Sequence, residues 1–297
     1  MTLNHPVPGN LRERSDEHFD LRNFRYLRSM ANRNHWMTRV KPKRLASPLA
    51  SLLFSGDRRR VVGTSMGIRL YLDPLSHLGR QVLKRGVYEP ETCDILTSRL
   101  RKGDVFVDVG ANEGIFCALA GKVVGERGRV IALEPQEGLR GIIEINCRLN
   151  DISNCYIYSA GLGPSGKTSE RLFLYASLNT GMASIVKRYK SSTAAVEVKL
   201  LTLKEIMSDL GLDSVDLVKI DVEGYEGAVV EGLIELLRDR RIRILLLDYH
   251  HAILAERGMQ AKDIHENVLR TGMTARNGEF DETKPTSYVL YETARPA

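Results

Sequence analysis

The sequence has few cysteines and no long apolar run, and each of these absences argues against particular classes of protein. The four cysteines form no CxxC pair and no zinc-ligand spacing, which argues against a redox motif, a zinc site or a disulfide framework. We expect them to be reduced, mostly buried residues of small apolar character: Cys93, Cys117, Cys147 and Cys155. No stretch approaches the roughly 20 apolar residues of a membrane span. Charged residues stand where a signal peptide has its apolar region, so a cytoplasmic location is expected.

The positive charge is concentrated near the N-terminus. Residues 1–60 contain 13 Lys or Arg against 5 Asp or Glu, although the whole chain has a net charge of only +6. We expect residues 1–60 to be a basic extension, residues 61–100 a cap that leads into the main sheet, and residues 101–297 the main α/β domain. The extension could contact an anionic surface, or it could be a solvated leader. In either case it should be separable from ligand binding.

A short apolar strand that runs into a glycine-rich turn is the central feature of the sequence. Residues 105–109 are β-branched or aromatic apart from Asp108, which is typical of a buried parallel strand. Gly110 lets the backbone turn and come close to a ligand, and Asn112 is available as a helix cap. Helical spacing follows in Ile115, Phe116, Leu119 and Val123. This pattern predicts a cofactor pocket at the end of a central strand in a doubly wound sheet.

The next two strands narrow the choice of cofactor. The strand predicted at residues 129–133 ends at Glu134, and a carboxylate there suits the two hydroxyls of a ribose. A third strand at residues 155–159 is closed by Ala160, where an adenine ring could lie. An NAD fingerprint is absent, because Gly110, Asn112 and Ile115 occupy the positions of its three glycines. A dinucleotide is therefore disfavoured.

Carboxylates and histidines follow the later strands. Asp221 and Glu223 come after a strand at residues 215–220, and they share a face if that strand continues. Another buried strand at residues 243–248 leads to the pair His250 and His251. Residues 164–195 are expected to be an irregular insertion that could include a strand at residues 172–175 and includes a loop at 179–184, and residues 196–200 are expected to be extended. Residues 273–275 and 288–291 predict an antiparallel edge.

Together these segments resemble the FkbM-type methyltransferase family, and the resemblance covers roughly residues 66–292. The matching segments, in chain order, are residues 88–89, 107–114, 134–135, 150, 160–163, 202–203 and 219–224. The resemblance implies a class I methyltransferase fold, which is α/β, doubly wound and Rossmann-like, with seven strands and an antiparallel edge. It also implies S-adenosyl-L-methionine as cofactor and O-methylation, commonly of a sugar or a natural product. Residues 101–297 would then be the cofactor-binding domain.

The resemblance and the strand ends together suggest a role for each polar residue. The expected cofactor-binding residues are Asp108, Gly110, Asn112, Gly114, Glu134, Ala160 and Asp221. Asp221 is expected to meet the cofactor's amino group. An alcohol reacts poorly until its proton leaves, so a base is needed, and His250 has the position and the intrinsic pKa for that task. Glu223 and Asp221 are expected to assist it, whereas His251 is more readily interpreted as a supporting residue.

Other interpretations stay open. Mg²⁺ bound by Asp221, Glu223 and Asp248 could activate the acceptor instead of a base, although no metal is our preferred expectation. The acceptor is expected to be a small-molecule or glycolipid hydroxyl, and a nucleic-acid partner is not expected. A methyltransferase that acts on protein or nucleic acid is one alternative function, since the N-terminal extension is basic. A non-catalytic interaction protein with this fold is another.

Overall fold

The computed structural model describes residues 59–175, 183–184, 192–277 and 280–293. The predictions for residues 1–58, and for residues 179–182 of the predicted loop, lie outside the described residues. The described elements in chain order are β1 (Arg60–Gly63), β2 (Arg69–Leu72), α1 (His77–Arg85), α2 (Pro90–Arg99), β3 (Val105–Val109), α3 (Ile115–Val124), β4 (Arg129–Leu133), α4 (Glu137–Leu149), β5 (Cys155–Tyr158), β6 (Gly161–Leu162), β7 (Ser169–Tyr175), β8 (Ala183–Ser184), β9 (Ser192–Leu201), α5 (Leu203–Asp209), β10 (Val215–Ile220), α6 (Glu226–Arg238), β11 (Ile242–Tyr249), α7 (His251–Glu256), α8 (Ala261–Leu269), β12 (Met273–Asn277) and β13 (Ser287–Thr293).

A mixed sheet of seven strands forms the centre of the molecule, in the order β12-β13-β11-β10-β3-β4-β5. The five strands from β11 to β5 are parallel, whereas β13 runs antiparallel to both β11 and β12. Val107 of the central strand lies opposite Val218 on one side and Ile131 on the other. The predicted seven-stranded sheet with its antiparallel edge is confirmed. The carboxyl ends of β3, β4, β10 and β11 consequently meet at one edge.

Helices cover both faces of this sheet because successive strand residues point to opposite sides. Phe106 packs with residues of α1–α4, whereas its neighbour Val107 packs with residues of α5, α6 and α8. The cysteines are all free and buried, as predicted. None of the helices in the described ranges has the length and apolar character needed to cross a bilayer.

The segment ahead of the central strand is a small hairpin followed by two helices. β1 and β2 pair antiparallel, with Val61 opposite Tyr71, so the predicted hairpin is confirmed. Its position is fixed from α4, where the side chain of Asn146 accepts a hydrogen bond from the backbone N–H of Tyr71 at 2.6 Å. The hairpin therefore lies against α4, the helix that follows β4.

The insertion between β5 and α5 is more regular than predicted. Four strands form a second sheet in the order β6-β9-β7-β8, and β7 pairs antiparallel with β9 so that Leu172 lies opposite Val196. Residues 183–184, predicted as part of a loop, pair with β7. The strand at residues 172–175 and the extended segment at 196–200 are confirmed, whereas the ladder that joins them was not predicted, because it depends on the pairing of two segments, which neither segment reveals alone.

Candidate active site

Gly110 joins the two central strands of the site. Its φ is +86°, and a Cβ atom at this position would lie 2.0 Å from the carbonyl oxygen of Asp221. The backbone N–H of Asp221 in turn donates to the carbonyl of Val109 at 3.0 Å. Among the described residues, Gly110 makes its close approach to the backbone of Asp221, the residue that follows β10. Gly110 brings the ends of β3 and β10 together, which places Asp221 beside the turn.

The two other turn residues predicted to bind the cofactor also have structural tasks. Gly114, with φ +73°, is the N-cap of α3, and a Cβ atom there would approach Ile143 of α4 to 2.9 Å. Asn112 has φ +52° and does not cap α3, so that expectation was wrong. Its left-handed backbone instead directs its N–H to Glu134, at 2.9 Å. Within the part of the chain that the structure describes, the buried side-chain oxygen of Asn112 has no hydrogen-bond partner.

Glu134 lies at the end of β4 and is only 4% exposed. One carboxylate oxygen accepts from the N–H of Asn112 and the other from the N–H of Gln136, each at 2.9 Å. Burial raises the pKa of Glu134 to about 7, although these hydrogen bonds oppose the rise. A carboxylate oxygen has two acceptor positions, so each oxygen can take a further donor. The arrangement fits a ribose diol, and Ala160 lies buried just beyond β5 at the same edge.

A buried lysine lies between Asp108 of β3 and Asp221, the carboxylate that follows β10. Lys219 is 4% exposed, and its Nζ lies 3.3 Å from Asp221 and 3.8 Å from Asp108. Burial disfavours an ionised Asp221, but Lys219 and then His250 outweigh it and lower its pKa. Burial raises the pKa of Asp108, and its Oδ1, which faces Lys219 at 3.8 Å, has no hydrogen-bond partner among the described residues. This oxygen and the side-chain oxygen of Asn112 are acceptors of the kind that suits the amino and hydroxyl donors of an amino-acid nucleoside.

His250 is paired with a fully buried carboxylate that the sequence analysis did not identify. Its Nδ1 donates to Oε1 of Glu226 at 2.7 Å, and the same oxygen accepts from the N–H of Gly224 at 2.9 Å. Nε2 lies 3.8 Å from Asp221. Burial alone would lower the pKa of His250, but Glu226, Asp221 and Asp248 together raise it to about 9. The expected imidazole of ordinary pKa is therefore wrong, and the ring is protonated at neutral pH.

Two further carboxylates surround this histidine. Burial raises the pKa of Asp248 to about 7, with a further rise from Asp221. Burial also raises the pKa of Glu223 to about 7, and the charge of His250 opposes that rise. Glu223 has φ +45° and lies beyond the end of β10, so the expectation of a continuing strand was wrong. Within the described ranges, Asp221, Asp248 and His250 offer ligand atoms within 4.8 Å of one another, a spacing suited to a divalent cation.

His251, for which a supporting role is predicted, contacts other residues than His250 does. Its Nε2 is 2.7 Å from the hydroxyl of Ser287, and its ring stacks on Tyr249 with 5.8 Å between centroids. The residues at the start of α2 lie nearer the cluster. Burial raises the pKa of Glu89, and the charge of Lys219 opposes that rise. Residues 88–89 were among the matching segments, so the signal for Glu89 was present in the sequence without an assigned role.

The sheet is doubly wound, with five parallel strands and an antiparallel edge. Its central strand ends in a glycine-rich turn, an acid follows the next strand, and charged residues follow β10 and β11. This is the architecture of class I methyltransferases. The Methyltransferase FkbM domain matches residues 108–274, and the chain belongs to this family. Its cofactor is S-adenosyl-L-methionine.

Two relatives and one solved structure illustrate the similarity. The chain is 26% identical over 195 residues to Methyltransferase sdnD of Sordaria araneosa, covering 56% of this chain and 74% of that protein. It is 24% identical over 180 residues to Methyltransferase 1 of Beauveria bassiana (strain ARSEF 2860), covering 55% of this chain and 71% of that protein. A SAM-dependent methyltransferase from Aquifex aeolicus superposes with a TM-score of 0.42 at 13% identity, covering 72% of this chain and 93% of that one.

Proposed function

We propose that this methyltransferase acts on a hydroxyl group of a sugar, glycolipid or other natural product, and that His250 is the base. The observation that carries the proposal is the pair formed by His250 and the buried Glu226, 2.7 Å apart. When bound, S-adenosyl-L-methionine supplies a methyl group on a positively charged sulfur, which leaves as a neutral thioether. The acceptor oxygen forms the new bond to carbon, and its proton passes to Nε2 of His250.

Glu226 fixes which nitrogen of His250 can accept that proton. Because Nδ1–H donates to Glu226, the lone pair of the neutral ring is on Nε2, which faces Asp221. Glu226 and Asp221 then stabilise the imidazolium once the proton has arrived. The same carboxylates hold a proton on His250 in the free protein. A cation bound among them would lower the pKa of His250, so we expect the ring to deprotonate when the positively charged cofactor binds.

The acceptor class can be tested with labelled cofactor. Purified protein, methyl-tritiated cofactor and a lysate would be incubated and then fractionated into small molecules, lipids, protein and nucleic acid. We expect label in the small-molecule or lipid fraction, in a form that resists mild alkali, because a methyl ether does and a methyl ester does not. The matched controls are His250→Ala and His251→Ala. Label that enters only protein or nucleic acid, or that alkali releases, would contradict the proposal.

The second candidate mechanism uses a metal. Asp221, Asp248 and His250 have ligand atoms close enough to hold a divalent cation, which would lower the pKa of the acceptor hydroxyl. Lys219, however, already contributes a buried positive charge 3.3 Å from Asp221. Turnover that survives EDTA supports the base mechanism. Turnover that EDTA abolishes and Mg²⁺ or Mn²⁺ restores supports the metal.

A further inference from the structure

An ion pair joins the residue just ahead of β1 to the turn between β3 and α3, residues 110–114, here called the cofactor turn. Arg59 donates from Nη1 and Nη2 to the two carboxylate oxygens of Glu113, at 2.8 and 3.1 Å. The Arg59 side chain is 13% exposed and that of Glu113 only 4%. Burial alone would lower the pKa of Arg59, but Glu113 and the nearby Asp73 outweigh burial and raise it. This is a bidentate, largely buried ion pair and not a surface ion pair.

Glu113 is held at several points, and its neighbour in the chain is held too. The carbonyl of Glu113 accepts from the side chain of Asn146 at 2.7 Å, and Asn146 also fixes β2. The preceding residue, Asn112, donates its N–H to Glu134. Asn112 and Glu113 are consecutive residues of the same short turn, so Arg59 and Glu134 hold adjacent residues of it. A displacement of the turn on loss of the Arg59 contact would therefore also move the N–H that Glu134 accepts.

We propose that Arg59 is a positioning residue for the cofactor. It holds Glu113 in place, and Glu113 in turn keeps the cofactor turn in the conformation in which the N–H of Asn112 donates to Glu134. This inference rests on the proposed role of Glu134 at the cofactor ribose. Arg59 falls within the segment predicted to be separable, so a chain that begins at Val61 would lose the contact. The residues ahead of β1 thereby influence cofactor affinity, although they lie outside the matched family domain.

The loss of Arg59 should be costly because Glu113 cannot reach bulk water where it lies. A buried carboxylate deprived of its guanidinium partner is expected to take up a proton or to move, and movement is easiest in a turn that already contains left-handed residues. Lysine at position 59 would keep the charge without the planar fork that matches a carboxylate. The geometry of the contact, and not only its charge, should therefore affect cofactor binding.

Calorimetric titration of the full chain with S-adenosylhomocysteine tests the proposal. We expect Arg59→Ala to weaken binding about 10- to 100-fold, as for a lost hydrogen-bonded charge, and Arg59→Lys to give an intermediate loss. Arg60→Ala, which removes the same charge from the neighbouring residue, should bind like the wild type. The double variant Arg59→Ala, Glu113→Gln carries no buried unbalanced charge. It keeps the test usable if Arg59→Ala folds poorly, and we expect binding between those of Arg59→Ala and the wild type.

A cross with Glu134→Ala separates positioning from general stability. If Arg59 acts through Glu134, the Arg59→Ala change should alter affinity by less than about 2-fold once Glu134 is replaced, because coupled residues are not additive. Wild-type affinity in Arg59→Ala, or a full loss that persists in the Glu134→Ala background, would overturn the proposal. A wild-type protein that does not bind S-adenosylhomocysteine would overturn the cofactor assignment as well, so the two failures are distinguishable.

Discussion

Charged neighbours set the charge states of Lys219, Asp221 and His250. Lys219 keeps its proton because Asp221 and Asp108 lie within 3.8 Å of its Nζ. Asp221 stays ionised because the positive charge of Lys219 lies 3.3 Å away. Glu226, fully buried, keeps a proton on His250. Removal of the charge at any one of these positions should therefore shift the pKa of its neighbour, since low-dielectric surroundings strengthen the interaction between them.

Replacement of His250 should affect turnover and not cofactor binding. We expect His250→Ala to lower kcat roughly 100- to 10,000-fold, the usual contribution of a general base. S-adenosylhomocysteine affinity, measured by calorimetry, should stay within about 3-fold, less than the loss of one hydrogen bond to a charged group. His251→Ala is the matched control, because the described hydrogen bond of that side chain is to Ser287 and not to a carboxylate of the site, so kcat should stay nearly unchanged. Equal loss of kcat in both variants would contradict the assignment of His250.

The pH profile should report the influence of Glu226 on His250. Because the base must be unprotonated, kcat/KM is expected to rise with pH towards about 9, the raised pKa of His250. Glu226→Gln can still accept a hydrogen bond from Nδ1 but removes the negative charge, so it should move this rise to lower pH. The measurement is kcat/KM of both proteins from pH 6 to 10. A profile that does not move in Glu226→Gln would exclude this coupling.

At the level of helices and strands, close packing of β3 against β10 defines the site. The central strands β3 and β10 were predictable because each is a short run rich in β-branched or aromatic residues, and the Thr202–Glu205 capping box that begins α5 was predictable from its spacing. The contact made by Gly110 was not, because a glycine's freedom of φ does not say which neighbour it approaches. Glu226 was missed because an acid in the first turn of a helix is already explained by the helix dipole, and its partner lies 24 residues away.

Gly110→Ala should loosen this junction. An alanine must adopt φ near +86° and would place its Cβ 2.0 Å from a backbone carbonyl, so we expect a loss of about 2–4 kcal/mol in the free energy of unfolding. Gly138→Ala is the control, because Gly138 lies in α4 with open space around it. It should be neutral or stabilising by about 0.4–1 kcal/mol. Denaturant unfolding measures both, and a stable Gly110→Ala protein would refute the tight contact.

For the whole molecule, the raised pKa values imply a stability that falls as pH increases. The pKa values of Glu134, Glu223 and Asp248 are each raised to about 7, mainly by burial, so their contribution is complete below their ordinary pKa and is lost as pH rises through 7. The contribution of His250 is lost later, as pH rises through about 9. Asp221, whose pKa is lowered by Lys219, acts in the opposite sense only in acid.

The cofactor-free protein should therefore have a melting temperature that decreases between pH 5 and pH 9. Glu134→Gln removes the most deeply buried of the three acids and should flatten the lower part of this decrease, whereas Glu137→Gln, on the exposed start of α4, should not. Calorimetric melting at one-unit pH intervals provides the measurement. A melting temperature that climbs over this range would contradict the protonation states assigned to the site.

The strand order also has a consequence for biosynthesis. β3 lies between β4, which follows it closely in the chain, and β10, which begins at residue 215. On the ribosome, the strands and helices of residues 105–158 emerge together, whereas Lys219, Asp221, Glu226 and His250 emerge only later. Since contacts between distant parts of a chain form slowly, we expect a nascent polypeptide to fold the part that contains Glu134 before the part that contains His250. Asp108 would then remain hydrated until the arrival of Lys219 completes the interior.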